Sequence, residues 1–391
     1  MATYNEIQTI IESLPPDFKT VIIKANAALG RVLQEYVIAD MDMPPFDKSA
    51  MDGYACKYAD LGNEMEVLEV ISAGNIPVHT IGKNQCSKIM TGAMLPEGAD
   101  SVFMIEDAEI TVENRVRCTN PKSKKNICYQ GEDYTKGTVL MQPGTILSAS
   151  HLAVLAGAGY NEVLVSAMPE IALITTGSEL VEPGETPGKG KIRNSNARQI
   201  TAQLQQMGLP VNYMGLTGDD YDILTQLFEE ACKNNDIVFF TGGASVGDFD
   251  WIPRLLKEQG FEVNWDKTGM KPGNPMIFAS KGHKYCFGLS GNPVSSLVQF
   301  IYIAKPTLYR LMGANYQPMR MRVPLAGEFS QRKANRFVLV PVHINNEGEA
   351  CIIPFHGSAH INALIKANAL MEVPEGTSEY NNGELVYVRP L

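Results

Sequence analysis

DIVFFTGGASVGDFD, residues 236–250, is the stretch whose reading decides the fold. Its opening is an apolar, β-favouring run, short enough for a strand buried on both faces. Gly242, Gly243, Ser245 and Gly247 follow, then Asp248 and Asp250, and after them WIPRLLKEQ carries helical spacing. A strand that opens through a Gly-rich loop into a helix is where open α/β sheets bind ligands. Glycines let the backbone approach closely, and the helix N-terminus presents N–H groups to an anion.

Outward from this stretch the pattern is regular. Strands are expected at 171–175, 210–213, 237–240 and near 276–279 and 285–289, with helices at 196–207, 221–234 and 251–259. A long helix from Pro293 to about Leu311, with Asn292 as cap and Pro293 at its first position, completes the run. Such alternation predicts a mostly parallel sheet covered on both faces. Upstream, residues 5–14 and 19–37 carry helical spacing, separated by Pro15, Pro16 and Asp17. From Phe46 to about Pro143 the chain turns to short alternating runs, the pattern of β-hairpins. Residues 148–160 return to helical spacing, with Ser148 as a plausible cap, so the β-rich block reads as an insertion into a helical unit. From Met321 to Leu391 alternation resumes, predicting a small all-β barrel or sandwich. The expectation is a multidomain α/β protein: 1–45 with 136–168, an insertion at 46–135, an α/β domain at 169–317 and a β domain at 318–391.

Composition narrows the function. A chain of 391 residues exceeds the usual size of a single core. The formal charge of −10 speaks against nucleic acid or an anionic membrane as the main partner, and the basic cluster 122–125 fits a solvated loop. Seven cysteines form no CxxC pair, which disfavours a zinc or iron–sulfur site and suits a reducing compartment. The polar start MATYNEIQ is no signal peptide and no apolar run nears spanning length, so the cytoplasm is expected.

Three strand ends, 175–180 (TTGSEL), 241–247 (TGGASVG) and 288–293 (GLSGNP), fall on one edge of a parallel sheet and can face one crevice. None matches a nucleotide-binding fingerprint. Glu179, Asp219 and Asp250 lie in or near these loops, while Asp52 and Asp133 lie in Gly-flanked turns and Thr91 in a similar loop. Aspartates beside glycines belong to turns by default, and Asp250 can cap the helix that follows it. The alternative is a set of carboxylates for Mg²⁺, a hard cation that often pairs with substrate phosphates. His356 and His360, with Gly357 between them and no third ligand, fit a loop better than a metal site.

Residues 44–55 (PPFDKSAMDGYA) resemble the MoeA family, which includes the E domain of gephyrin. The motifs 89–93 (IMTGA), 131–133 (GED), 176–180 (TGSEL), 241–248 (TGGASVGD), 271–273 (KPG) and 291–295 (GNPVS) follow in the family's order, so the resemblance spans the chain. It implies an elongated helical region interrupted by a β-rich domain, a molybdopterin-binding three-layer α/β domain and a C-terminal β barrel. It implies Mg²⁺-dependent insertion of molybdate into adenylylated molybdopterin with release of AMP. The implied assembly is a homodimer, with the site between the α/β domain of one subunit and the N-terminal half of the other, and with transient contact to the molybdopterin adenylyltransferase. The functional positions carried over are Asp52, Thr91, Asp133, Glu179, Asp219 and Asp250, with Glu179, Asp219 and Asp250 toward the metal. Gly242, Gly243, Ser245, Gly247, Lys271, Asn292, Pro293, Ser295 and Arg336 would bind substrate. Two positions depart from the family: Ser290 where Pro is usual and Asn274 where a second Lys is common, which bears on the oxyanion more than on the fold. The alternatives are a tungstate-inserting homologue, a molybdopterin adenylyltransferase and a non-enzymatic scaffold.

Overall fold

The computed structural model describes residues 1–112, 114–120, 122–243, 250–355 and 357–391. Ser245, Gly247, Asp248 and His356 lie outside the described residues. The chain divides into two compact units, one of Met1–Glu35, Pro143–Ala149 and Glu162–Leu391 and one of Tyr36–Gln142 and Ser150–Asn161.

The first unit is built on a six-stranded sheet. Its strands are Ile171–Thr176 (β1), Val211–Thr217 (β2), Ile237–Thr241 (β3), Glu262–Lys267 (β4), Pro275–Lys281 (β5) and Lys284–Leu289 (β6), in the order β2-β1-β3-β6-β5-β4. The pairs β1–β2, β1–β3 and β3–β6 are parallel, and β5 and β4 extend the sheet antiparallel. Every residue of β1 and β3 is buried, because successive side chains enter opposite layers. Leu173 and Phe239 pack on one face with Ile200, Leu204 and Val298. Ile174 and Phe240 pack on the other with Leu224, Phe228 and Leu255. That is a three-layer arrangement with helices on both faces, as the alternation predicts. β4 is an edge strand that the sequence reading missed, since its burial alternates weakly.

The helix expected at 293–311 is three pieces: Pro293–Gln299, a π turn at Phe300–Ala304, and Lys305–Leu311. Pro306 has no N–H to give the carbonyl of Tyr302. That oxygen instead accepts from Gln8 Nε2 at 3.2 Å, on the helix Tyr4–Ser13. The second expected N-terminal helix is a correction. Thr20–Lys24 is a strand, antiparallel to Glu162–Ser166. Val21, Ile22 and Ile23 are β-branched and lose χ1 freedom in a helix, and their pairing partner lies far along the chain, where local spacing gives no hint of it. The segment after it, with Gly30 at φ +75°, is irregular.

The C-terminal strands close on themselves. Met321–Ala326, Phe337–Ile344, Ala350–Ile352, Ala369–Val373 and Leu385–Pro390 form one sheet, and the pairing of Phe337–Ile344 with Ala369–Val373 makes it a barrel. Met270–Lys271 joins this barrel, parallel to Phe337 and Val338.

The second unit carries another six-stranded sheet: Ser101–Met104, Gly53–Cys56, Gln85–Ile89, Glu64–Ile71, Arg115–Cys118 and Ala108–Val112, in that order. A Cβ on Gly53 would stand 1.9 Å from the carbonyl oxygen of Phe103, so only glycine fits there. The seven cysteines are unpaired, and burial pushes the Cys86 thiol up to about 12, which suits inert core thiols.

Candidate functional site

The C-terminal ends of β1, β3 and β6 open on one cleft of about 700 Å³. Glu179, Asp219, Asp250, Gly242, Gly243, Asn292 and Pro293 line it, so seven expected positions from separate loops meet there. The close approach of two loops explains the paired glycines. A Cβ on Gly242 would stand 2.3 Å from the carbonyl oxygen of Thr176, and one on Gly243 would stand 2.8 Å from Thr176 Oγ1. Both glycines have positive φ, +89° and +63°.

The acids are placed by hydrogen bonds between loops. Ser178 N–H donates to Asp219 Oδ2 at 3.3 Å, and Asp219 N–H donates to Ser178 Oγ at 3.0 Å, which locks the end of β1 to the end of β2. Trp251 Nε1 donates to the Asp219 carbonyl at 3.1 Å, tying in the segment after Asp250. Asp250 is not the helix cap expected of it: the helix Ile252–Glu258 begins one residue later, with Trp251 at the cap and no side-chain cap bond. Asp250, one residue before that cap, is among the residues that line the cleft. Among the described lining residues, Arg193 is the guanidinium set against these three carboxylates. Among the described residues, no three His, Cys, Asp or Glu side chains gather where a metal ion could sit, so the three acids share a cleft without forming a preassembled cage.

Ser290 and Gln299 fix the other rim. Ser290 N–H donates to Gln299 Oε1 at 2.8 Å, and Gln299 Nε2 donates to the carbonyls of Gly273 at 3.0 Å and Pro275 at 2.7 Å. Asn292 N–H donates to Ser290 Oγ at 3.2 Å. The serine that departs from the family's proline thus supplies a donor and an acceptor that proline lacks. Ser295 is buried, and Lys271 lies in the strand pair with Val338. With its amide oxygen turned toward it, Asn274 accepts from both terminal nitrogens of Arg336 at 3.2 Å. Lys271, Ser295 and Arg336 are not among the lining residues of the cleft.

The remaining expected positions belong to the second unit. Asp52 Oδ1 accepts from the backbone N–H of Thr91 at 2.6 Å and from its hydroxyl at 2.7 Å. These two bonds hold the Asp52 carboxyl below the usual range. Asp133 is exposed, its N–H bonded to the Met43 carbonyl at 3.0 Å. The three motifs are joined: Gln130 N–H donates to Asp47 Oδ1 at 2.8 Å, and Ser49 N–H to the Ala93 carbonyl at 3.0 Å.

Sequence reasoning overlooked the segment before the helix Asn196–Gln206. Arg193, Asn194 and Asn196 all line the cleft, and Thr176 forms part of its wall. The run RNSN at 193–196, polar and immediately before a helix, is the signal that was present. Asn194 Nδ2 donates to Tyr213 Oη at 3.0 Å, and that hydroxyl donates to Glu182 Oε1 at 2.6 Å. Burial and the Glu182 bond push the Tyr213 phenol up to about 12.

Comparison with known proteins covers the whole chain. The family descriptions "MoeA N-terminal region (domain I and II)", "Probable molybdopterin binding domain" and "MoeA C-terminal region (domain IV)" match residues 2–159, 172–310 and 322–391. A molybdopterin molybdenumtransferase of Staphylococcus epidermidis is 36% identical over 388 residues, 95% of this chain and 91% of that protein. One of Staphylococcus aureus is 36% identical over 380 residues, 94% and 90%. The crystal structure of a molybdopterin biosynthesis moeA protein from Pyrococcus horikoshii superposes over 100% of both chains, with a TM-score of 0.83 at 29% identity.

Proposed function

This chain belongs to the MoeA family, and from that premise we propose that it is a molybdopterin molybdenumtransferase, inserting molybdate into adenylylated molybdopterin and releasing AMP. The observation that carries the reading is the convergence of three strand-end loops on one cleft bearing Glu179, Asp219 and Asp250.

Charge explains the demand on the site. The oxyanion and the phosphates of the pterin nucleotide repel each other, and the cleft adds three carboxylates against Arg193. Those carboxylates are hard oxygen donors, which fits Mg²⁺; because that ion keeps waters and substrate phosphates in its shell, one or two protein carboxylates suffice. Glu179 and Asp250 would hold it, and when bound it would neutralise phosphate charge and polarise the bond to AMP. Asp219, already bonded to Ser178 N–H, would orient the loop that carries Glu179. Gly242 and Gly243 admit the ligand's phosphates to the backbone. Ser245 and Gly247 extend the same loop in the sequence. Lys271 of the KPG motif and Arg336 beside it would meet the oxyanion, with Ser295 behind it.

Asp52, Thr91 and Asp133 would complete the site from the partner subunit of a homodimer. The protein would act in the cytoplasm and receive its substrate by transient contact with the adenylyltransferase. The test is to incubate the purified protein with adenylylated molybdopterin, Mg²⁺ and either molybdate or tungstate, and to measure AMP release. Release that requires molybdate supports the reading, a preference for tungstate corrects the oxyanion, and release with neither refutes it. Asp250→Ala with AMP release intact and the fold preserved would refute the assignment of that residue.

A further inference from the structure

Among the described residues, two buried side-chain polar atoms of the cleft lining have no hydrogen-bond partner. Thr176 Oγ1 and Asn196 Oδ1 are buried, Thr176 5% and Asn196 8% exposed, and neither makes a hydrogen bond. Both residues line the cleft. Buried polar groups are nearly always satisfied, so an unsatisfied one needs a reason. Gln199 Oε1, one turn along the same helix, is also buried without a partner, but Gln199 is not a lining residue of the cleft, and other polar groups of the lining are satisfied. Asn194 Oδ1 accepts from Ala197 N–H at 3.2 Å, its amide nitrogen is bonded to Tyr213, and Ser290 Oγ accepts from Asn292.

The chemistry of each atom is fixed by its surroundings. Asn196 Nδ2 faces two carbonyl oxygens, Gly291 at 2.8 Å and Ser290 at 3.4 Å. Two acceptors on that side require the NH₂ there, so Oδ1 is a pure acceptor that calls for a ligand N–H. Thr176 Oγ1 stands beside the glycine pair, where a Cβ on Gly243 would come within 2.8 Å of it. A rotatable hydroxyl beside an anion-admitting loop can donate to a phosphate oxygen.

We infer that Thr176 and Asn196 are the ligand-reading pair of this cleft: Thr176 donates to a phosphate oxygen, and Asn196 accepts from an N–H of the bound heterocycle, a ring or exocyclic one in a pterin and the exocyclic amine in an adenine. The inference rests on the proposed function, which supplies a phosphorylated ligand with two heterocycles that carry N–H donors, a pterin and, through its exocyclic amine, an adenine. It assigns specificity, because an acceptor left facing a ring without N–H stays unpaired and buried.

Four neutral or charged probes separate the parts: AMP, adenosine, 6-hydroxymethylpterin and inorganic pyrophosphate, titrated calorimetrically onto the full-length protein. Thr176→Val is expected to weaken AMP and pyrophosphate about tenfold, the loss of roughly one hydrogen bond, with adenosine unchanged and the unfolding temperature not lowered. Unchanged phosphate affinity, or a fall in unfolding temperature without it, overturns the role of Thr176. Asn196→Asp and Asn196→Leu both lose the donors to Gly291 and Ser290, but only Asp keeps an acceptor. Binding of one neutral ring should therefore fall about tenfold further in Leu than in Asp, and the ring that responds, adenosine or the pterin, is the one Asn196 reads. Equal losses overturn its role as reader. Wild-type protein that binds none of the four probes brings down the proposed function along with this inference.

Discussion

Replacing Gln299 with methionine tests whether a single buried amide holds the rim of the cleft. Gln299 is fully buried and bonds Ser290 N–H, the Gly273 carbonyl and the Pro275 carbonyl. Methionine matches its length, so little cavity forms, and the change is chiefly the loss of hydrogen bonding. Gly273 keeps a second donor, Thr268 Oγ1 at 2.7 Å, leaving Ser290 N–H and the Pro275 carbonyl unpaired. An orphaned buried group costs about 1–3 kcal/mol, so two cost roughly 2–6 kcal/mol. Removing the amide's own desolvation returns part of that, and a net loss of about 2–4 kcal/mol is expected. For a domain of this size each kcal/mol moves the midpoint by roughly 3–5 °C, giving a fall of about 6–20 °C. Both tryptophans, Trp251 and Trp265, lie in this domain, so fluorescence melting reports it without the others. A midpoint within 2 °C of wild type, a change of only about 0.5 kcal/mol, would refute the claim that Gln299 holds the two loops.

Three further outcomes follow from the same geometry. Ser290→Pro removes the donor to Gln299 Oε1 and the acceptor for Asn292 N–H, and is expected to destabilise by roughly 1–3 kcal/mol after the proline's entropic gain; chemical denaturation measures it, and a stabilised variant would show that the serine is incidental. Gly242→Ala puts a methyl 2.3 Å from the Thr176 carbonyl at a φ of +89°, and should cost more than about 2 kcal/mol and most AMP release, read by melting and turnover together. Thr91→Val removes the hydroxyl bond to Asp52 and should raise the Asp52 pKa toward its ordinary 3.8, seen by carboxyl-carbon NMR titration. The folded value is depressed, so whatever stability the bond lends is whole above the unfolded pKa and fades as pH falls through the folded one; an unmoved titration would refute the assignment.

The α/β domain was legible because its signals are local. Runs such as Ile171–Thr176 and Ile237–Thr241 are continuous apolar strands, and their glycine-rich ends locate the cleft. What was not legible depends on partners far along the chain. Thr20–Lys24 has helical spacing by coincidence, and only its pairing with Glu162–Ser166 makes it a strand. The carboxylates were found because acids beside glycines in strand-end loops are conspicuous. Asn196 and Thr176 were not, since a helix-start asparagine and a strand-end threonine have ordinary structural uses, and only an unfilled hydrogen bond in three dimensions sets them apart.

Ser290 and Asn274 sharpen that distinction. From the sequence both look like losses, a rigid turn relaxed and a positive charge removed. In the fold Ser290 gives back rigidity through hydrogen bonds to Gln299 and Asn292 that proline could not make. With its side-chain amide oxygen turned to Arg336, Asn274 holds the guanidinium beside the KPG loop where a lysine would have repelled it. Lys271 remains, and beside it the held Arg336 presents a planar fork that matches an oxyanion better than a second ammonium would. The consequence is directional: Asn274→Lys should free Arg336 by like-charge repulsion and weaken oxyanion selectivity even as it adds charge, so its ratio of molybdate-driven to tungstate-driven AMP release should move toward one. A variant that binds molybdate more tightly with that ratio unchanged would mean that charge alone, and not the held guanidinium, governs the oxyanion.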